Sequence, residues 1–183
     1  MGGSSGKLSP ADMDYLLKNT NFDKPTIQQW WKGFKRDCPS GKLSRNKFIE
    51  VYSQLYPDGD PTEFCDHAFR SFDKDNSGSI DFKEFLMSVN VMSNGTPQQK
   101  LNWAFELVDV DGNGTADKGE VNQIISATFK LVGNAIQVEM TPEMVTEEIF
   151  RKMDENGDGI LTKDEFVQGC GSDPNMMKML TGS

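Results

Sequence analysis

A twelve-residue pattern that occurs three times constrains this chain more than any other feature of its sequence. The copies are DKDNSGSIDFKE at 73–84, DVDGNGTADKGE at 109–120 and DENGDGILTKDE at 154–165. Each has oxygen-bearing side chains at positions 1, 3 and 5, a glycine at position 6 and a glutamate at position 12. Glycine suits position 6 because it has no Cβ and can adopt a positive φ in a sharp turn. Such repetition indicates one structural unit used several times.

The pattern matches the ligands that a calcium ion prefers. Ca²⁺ binds about six to eight oxygens, and the EF-hand loop supplies them from positions 1, 3, 5, 7, 9 and 12, with a backbone carbonyl at position 7 and a bidentate glutamate at position 12. The sequence therefore predicts up to three bound Ca²⁺ ions, and we expect Mg²⁺ to be able to enter the same loops when calcium is low. The predicted ligands are Asp73, Asp75, Ser77, Ser79, Asp81 and Glu84, then Asp109, Asp111, Asn113, Thr115, Asp117 and Glu120, then Asp154, Asn156, Asp158, Ile160, Thr162 and Glu165.

EF-hands fold in pairs, so three loops predict a fourth. RDCPSGKLSRNK at 36–47 keeps a glycine, Gly41, at position 6. Its ligand positions are lost, because Arg36, Cys38 and Lys47 stand at positions 1, 3 and 12. We therefore predict a disabled loop, which has the shape of an EF-hand and binds no ion.

Helix-start signals and apolar spacing surround the loops. DPTE at 60–63 and TPQQ at 96–99 are capping sequences that precede apolar residues at helical spacing. The prediction is an all-α fold of two EF-hand pairs, in which paired loops meet through short antiparallel bridges. The first pair is expected over residues 1–93, and the second pair over 94–183 with a short final helix.

Position 8 of each loop should lie in these bridges. We expect Leu43 to face Ile80 and Ala116 to face Leu161. Because alanine is small for this place, we also expect looser coupling within the second pair. The loop at 154–165 has three acidic ligands where the other two intact loops have four, so we expect it to be the weakest site.

Composition excludes several classes of protein. With 19 basic and 28 acidic side chains the formal net charge is −9, which argues against nucleic-acid binding because phosphates require cationic partners. The chain has no stretch of about 20 apolar residues, the length needed to span a membrane.

Cys38, Cys65 and Cys170 are widely spaced and odd in number, which indicates free thiols in a reducing compartment. A single histidine, His67, and the lack of a phosphate-binding loop predict that the protein is not an enzyme.

Large apolar side chains are concentrated in the first pair. A sensor must uncover an apolar surface on binding calcium, whereas a buffer needs ion affinity alone. A helical stripe through Trp30 and Phe34, together with Tyr52 and Phe85, favours a groove for a partner. An ordinary core would use the same residues, so a cytosolic Ca²⁺ buffer without a target or membrane switch remains the alternative.

The N-terminus carries a possible lipidation signal. Gly2 follows Met1, and this is the required start for N-myristoylation. The serine or threonine expected at position 6 is replaced by Gly6. A flexible start without a lipid is the alternative interpretation.

These residues resemble the neuronal calcium sensor family, the group of recoverin, visinin, hippocalcin and frequenin. The resemblance covers essentially the whole chain. It is carried by WWKGF at 30–34, DCPSG in the disabled loop at 37–41, WAF at 103–105 and DVDGNG at 109–114. The order of one disabled and three intact loops is similar to that of family members with three working sites.

The resemblance implies a calcium sensor with a calcium–myristoyl switch. It implies acylation at Gly2, release of the acyl chain on calcium binding, and regulation of a target protein at a membrane. The protein would be cytoplasmic and reversibly membrane-associated on calcium binding. The identity of the target and the existence of a homodimer stay open. The resemblance also implies a groove for a target helix or the lipid, formed by Trp30, Phe34, Phe48, Val51, Tyr52, Phe85 and Val89.

Charge is compatible with such a membrane role. Residues 1–59 hold nine basic and six acidic side chains, whereas residues 60–183 hold ten basic and 22 acidic ones. Three bound Ca²⁺ would change the formal charge from −9 to −3 and weaken repulsion from anionic lipid. A single acyl chain is a marginal anchor without such help. The candidate headgroup contacts are Lys7, Lys32, Lys35 and Arg36, for which an ordinary solvated face is the alternative.

Overall fold

A computed structural model describes residues 6–133 and 139–176. The helices are α1 Pro10–Asn19, α2 Lys24–Asp37, α3 Arg45–Leu55, α4 Thr62–Phe72, α5 Phe82–Asn94, α6 Pro97–Val108, α7 Lys118–Val132, α8 Pro142–Met153 and α9 Lys163–Ser172. The strands are β1 Lys42–Leu43, β2 Ile80–Asp81, β3 Thr115–Asp117 and β4 Ile160–Thr162. After α1, a helix–strand–helix unit occurs four times. This order confirms the predicted all-α fold of two EF-hand pairs.

Short antiparallel bridges join the loops within each pair. β1 pairs with β2, and β3 pairs with β4. Leu43 lies opposite Ile80 and Ala116 opposite Leu161, which is the predicted register. The second bridge joins three residue pairs and the first joins two, so Ala116 does not shorten its bridge. Looser coupling within the second pair stays a prediction.

Side-chain caps fix the start of the helix that leaves each intact loop. Asp81, Asp117 and Thr162, at position 9 of their loops, each accept a hydrogen bond from the N–H of the glutamate three residues later. That glutamate side chain in turn accepts from the N–H of the capping residue. Such a capping box satisfies backbone donors that have no partner within the helix. It also holds ligand positions 9 and 12 in a fixed relation to each other and to the helix.

The apolar core of the first pair extends across the boundary between the pairs. Leu107, Ala127 and Leu131, from α6 and α7, are buried in one cluster with residues of the first pair such as Phe64. A second cluster contains most of the other buried apolar residues of the second pair. α5 ends at Asn94 and α6 begins at Pro97, close to the predicted boundary. The division into two pairs between residues 93 and 94 stays a prediction, and the two pairs share part of a core.

The end of α7 lies against the segment that precedes α4. The Asp60 N–H donates to the Lys130 carbonyl at 2.7 Å, and the Lys130 Nζ lies 2.6 Å from the Glu63 Oε1. Gly59 and Gly133 permit this approach, because a Cβ at either residue would collide with backbone atoms across the contact. The exit helix of the third EF-hand is therefore fastened to the first pair.

The cysteines agree with their sequence interpretation. Cys38, Cys65 and Cys170 are free and buried. Burial raises the pKa of the Cys65 and Cys170 thiols to about 12, and it raises the pKa of the Cys38 thiol as well. All three are therefore held as protonated, weakly reactive thiols. In residues 6–133 and 139–176, no helix has the length and apolar character needed to cross a bilayer.

Candidate calcium sites and apolar cleft

Two loops each gather three carboxylates around one point. In loops 73–84 and 109–120, oxygens from the carboxylates at positions 1, 3 and 12 lie within 4.8 Å of one another. The residues are Asp73, Asp75 and Glu84 in the first of these loops, and Asp109, Asp111 and Glu120 in the second. Like charges so close together favour a bound divalent cation, and oxygen donors of this kind are those that calcium prefers. The EF-hand geometry and these acidic clusters together indicate Ca²⁺ binding.

The position-1 carboxylate is oriented by the turn that follows it. Asp73 accepts a hydrogen bond from the Ser77 N–H at 2.9 Å and from the Gly78 N–H at 2.8 Å. Asp109 and Asp154 accept in the same way from the residues four and five positions later. This turn requires a left-handed residue at position 6, which glycine supplies without strain. The φ values are 82° at Gly78, 89° at Gly114 and 78° at Gly159.

The hydrogen bonds of the position-12 glutamate differ between loop 154–165 and the other two intact loops. The Asp75 N–H donates to Glu84 at 3.2 Å and the Asp111 N–H donates to Glu120 at 3.1 Å, so both glutamates reach back across their loops. Glu165 instead accepts two hydrogen bonds from its own helix cap, residue 162. Among the described residues, the acidic side chains of loop 154–165 form no cluster of three. Its rank as the weakest site stays a prediction, and this geometry favours it.

Burial makes the two carboxylate clusters costly without a cation. Asp73 is 7% exposed and Glu120 is 8% exposed. Burial raises the pKa of Glu84, whereas the hydrogen bond from Ser77 lowers the pKa of Asp75. Buried like charges destabilise the ionised state of a cluster unless a countercharge is present. The donor set therefore fits calcium in chemistry and in electrostatics.

The disabled loop is covered by a cation from the protein itself. The Lys35 Nζ donates to the Pro39 carbonyl at 2.6 Å and lies 3.8 Å from the place that a Cβ on Gly41 would take. Arg36 and Lys47 form ion pairs with acidic neighbours. Lys35 and Arg36 are two of the candidate headgroup contacts, and the structure gives both of them partners within the protein. Their contact with lipid stays a prediction. Sequence inspection misses the role of Lys35 because this residue precedes the loop.

The seven residues predicted to form the groove lie along one cleft in the first pair. They are Trp30, Phe34, Phe48, Val51, Tyr52, Phe85 and Val89. The cleft has a volume of about 630 Å³ and is walled by α2, α3 and α5. Leu55, 66% exposed, and Met92, 40% exposed, also line it and are not among the predicted residues. Helical spacing could have identified them, since Leu55 follows Val51 by four residues and Met92 follows Val89 by three.

Aromatic contacts form the floor of this cleft. The ring centroids of Phe34 and Phe85 are 5.4 Å apart, and those of Trp30 and Phe85 are 5.8 Å apart. On the α3 side, the rings of Phe48 and Tyr52 are 5.0 Å apart. Tilted and edge-on ring pairs at these distances are favourable beyond their burial alone. These rings pack against one another, whereas Val51, Leu55 and Met92 along the same cleft are exposed.

Trp31 does not line the cleft and instead holds the N-terminal segment. Its indole N–H donates to the Gly6 carbonyl at 3.0 Å. Trp31, Lys7 and Lys32 line a cavity of about 460 Å³ beside α1. Gly2, the predicted acylation residue, lies outside the described residues.

Comparison with known proteins agrees with this arrangement over nearly the whole chain. The EF-hand domain pair model matches residues 98–171, and the EF hand domain model matches residues 64–91. S-modulin of Aquarana catesbeiana is 40% identical over 181 residues, covering 96% of this chain and 90% of that protein. Neuronal calcium sensor 1 of Lymnaea stagnalis is 41% identical over 184 residues, covering 99% and 96%. Recoverin of Homo sapiens is 37% identical over 186 residues, covering 98% and 93%.

Proposed function

The chain belongs to the neuronal calcium sensor family, and from this premise we propose that it binds up to three Ca²⁺ ions and regulates a target protein at a membrane. The ions would be held by the ligands predicted in loops 73–84, 109–120 and 154–165. Calcium sensing is the general function that the EF-hands and the relatives support. The number of ions, the lipid and the target are the parts that we propose.

The proposal is carried by one helix that joins a calcium loop to the cleft. α5 has Glu84 in its first turn, and Phe85, Val89 and Met92 of the cleft follow on the same helix. The capping box between Asp81 and Glu84 fastens the glutamate to the start of α5. We propose that α5 moves together with Glu84 when this side chain ligates an ion. We expect the width of the cleft to change with calcium.

The shape of the cleft suits an amphipathic helix. Its floor is aromatic and its exposed rim is aliphatic, so a helix with an apolar face would bury both. Val51 is 42% exposed at this rim. A buffer would gain nothing from exposing such a surface to water. The cleft thus favours a regulator over the alternative function.

The membrane part of the proposal rests on the N-terminal segment. A myristoyl group at Gly2 would supply hydrophobic binding of about 0.8 kcal/mol per buried CH₂, which is marginal without a second signal. Lys7 and Lys32 lie together beside this segment and provide the second signal for anionic lipid. We propose a cytoplasmic protein that associates reversibly with membranes on binding calcium.

The lipid switch is tested by co-sedimentation with anionic liposomes, using protein made alongside an N-myristoyltransferase. We expect pelleting that requires calcium and that Gly2→Ala abolishes. Pelleting that ignores calcium would contradict a switch, and sensing would then be confined to the cleft. No pelleting of acylated protein would remove the membrane part altogether.

The cleft is tested by binding of an amphipathic Leu–Lys model helix with and without calcium. We expect calcium to promote binding and Val51→Asp to abolish it. Met144→Asp is the matched control, since Met144 is 52% exposed on α8 and lies outside the cleft. Equal binding with and without calcium would favour the buffer. Equal loss in both variants would place the binding surface elsewhere.

A further inference from the structure

A second cavity, of about 540 Å³, lies between α5 and α6 and shares no lining residue with the apolar cleft. Its volume is within the range of about 300–1,000 Å³ that is usual for sites that bind small molecules. The walls include Met87, Ser88 and Val91 of α5, Asn102 and Trp103 of α6, and Tyr15 of α1. The cavity is therefore a candidate ligand site that is separate from the cleft.

Trp103 brings a buried donor without a partner to this cavity. Its indole N–H is closed off from solvent and has no hydrogen-bond partner among the described residues, whereas the indole N–H of Trp31 donates to the Gly6 carbonyl. Buried polar groups are nearly always paired, because a donor that loses water without a replacement destabilises the folded state. The ring packs against the core cluster of the first pair and lines the cavity. The cavity is the space from which a partner can reach this donor.

Ser88 brings a second polar group to the same cavity. It is only 5% exposed, and no hydrogen bond within the described part of the chain involves its hydroxyl. A serine within a helix often donates to the carbonyl four residues earlier. Ser53 and Ser172 do so, at 2.9 Å each. The Ser88 hydroxyl thus remains available to a molecule in the cavity.

The cations around the cavity already have partners in the protein. The Lys83 Nζ lies 3.1 Å from the Asp12 Oδ1, and the Lys74 Nζ forms an ion pair with Glu106. The two acids at the start of α5 belong to its capping box and to a predicted calcium loop. A charged molecule would have to give up its water without meeting a free countercharge, which costs free energy. An uncharged ligand is therefore favoured.

We propose that this cavity binds an uncharged small molecule with an apolar ring body and a carbonyl oxygen. The carbonyl accepts hydrogen bonds from Ser88 and Trp103, since its two lone pairs can serve both donors. The body packs against the apolar side chains of Met87 and Val91 and the ring of Tyr15. Because the Trp103 N–H is closed off from solvent, the indole ring turns toward the cavity when the ligand enters. This site is independent of the calcium, lipid and target-helix binding proposed above.

Two matched probes test this chemistry. Prodan is an uncharged naphthalene with a ketone group, and dimethylaminonaphthalene has the same ring and amine without the ketone. The full chain with isotope-labelled tryptophan is titrated with each probe at saturating calcium, which keeps the calcium loops in one state. NMR follows the indole N–H signals, which Trp103→Phe assigns by removing one of them. We expect prodan to shift the Trp103 signal in a saturable way. The Trp30 signal reports any binding in the cleft.

Paired variants locate the site. Ser88→Leu places a larger side chain in the cavity and should abolish the response of the Trp103 signal to prodan. Ser93→Leu makes the same change on the same helix, at an exposed residue that does not line the cavity, and should keep the response.

A second pair of variants tests the hydrogen bonds. Ser88→Ala removes only the hydroxyl and Trp103→Phe removes only the indole N–H with its ring. Each should weaken prodan binding by about two- to tenfold, the usual range for one hydrogen bond, with the affinity measured from the fluorescence of the probe. Neither removes a partner of the probe that lacks the ketone, so Ser88→Ala should leave its affinity unchanged. If Ser88→Leu does not give a dispersed spectrum, Ser88→Ala with the two probes takes its place.

Three results would overturn the proposal. One is a titration in which prodan shifts the Trp30 signal alone or shifts no indole signal, because the cavity would then be empty of probe. Another is an equal loss of response in Ser88→Leu and Ser93→Leu. The third is an equal effect of Ser88→Ala on both probes, which would show that the hydroxyl does not bind the ketone.

Discussion

The two EF-hand pairs have the same helices and bridges, but they differ in what covers their apolar cores. In the first pair, Trp30 and Val51 remain exposed along the cleft. In the second pair, α6 packs against α9, and the rings of Phe105 and Phe166 are 5.4 Å apart in the interior. Met176, beyond α9, is buried in the same cluster. The two pairs thus have the same arrangement of helices and bridges, and residues outside the loops determine which pair exposes an apolar surface.

The predicted ions are distributed in the opposite way. The first pair has one intact loop and an open cleft, whereas the second has two intact loops and a covered core. Most of the predicted calcium-binding capacity therefore lies in the second pair, whereas the open apolar cleft lies in the first. Any influence of the second pair on the cleft must cross the contact between them, which Leu131, Asp60 and Arg70 help to form.

The largest expected effects test whether the two cores are separate. Leu131→Ala removes a fully buried side chain from the cluster that crosses the boundary and should cost about 2–5 kcal/mol of unfolding free energy. Both pairs should lose stability together in urea unfolding followed by NMR. Ile149→Ala, within the second cluster, should cost a similar amount and destabilise the second pair first. Leu55→Ala, at an exposed site, should change stability by less than about 0.5 kcal/mol. If Leu131→Ala lowered the unfolding free energy of the second pair alone, the shared cluster would not contribute to the stability of the first pair.

An intermediate effect is expected from the position-12 glutamates. Glu84→Gln and Glu120→Gln should each weaken calcium binding at their own loop by about tenfold or more, roughly 1.4 kcal/mol, because each removes a carboxylate that reaches across its loop. Glu165→Gln should have the smallest effect on total affinity, since loop 154–165 is predicted to be weakest. Calorimetric titration of the three single variants measures the order. A tightest phase that is governed by Glu165 would contradict it.

The smallest expected effect is a pH dependence of the first pair without calcium. Burial raises the folded-state pKa of Glu84, so the folded chain binds this proton more tightly than the unfolded chain. Stability in chelator should therefore increase as pH falls from above the folded pKa toward the unfolded value. Glu84→Gln should remove this gain in urea unfolding. Asp75→Asn is the matched control with the opposite sign, because the pKa of Asp75 is lowered and its contribution is lost as pH falls. An unchanged pH profile in Glu84→Gln would show that other groups dominate.

The local parts of the molecule could be predicted because their determinants are close in sequence. The turn in each loop requires glycine at position 6, and position 8 sets the bridge register that joins Leu43 to Ile80. The turn and the register each need only a short window of sequence or one repeat spacing. The seven groove residues lie on three separate helices, and only the resemblance to a family predicts them as one set.

The parts that could not be predicted depend on contacts between distant segments. Lys35 covers the disabled loop through a long side chain whose direction no motif specifies. Leu131 lies in the second pair by sequence, yet it is buried in the core of the first. The sequence shows Arg70 only as a cation on a helix, because its backbone partners are 36 to 40 residues away. Tertiary packing, rather than local propensity, determines all three.

The burial of the native thiols has a practical consequence for labelling chemistry. Alkylating and disulfide-forming probes react with exposed thiolates, and Cys38, Cys65 and Cys170 are neither exposed nor readily ionised. A cysteine introduced at the cleft rim, at Leu55 for example, would outpace all three in such a reaction. Spin labels or fluorophores could therefore be attached to the native background without first removing its cysteines.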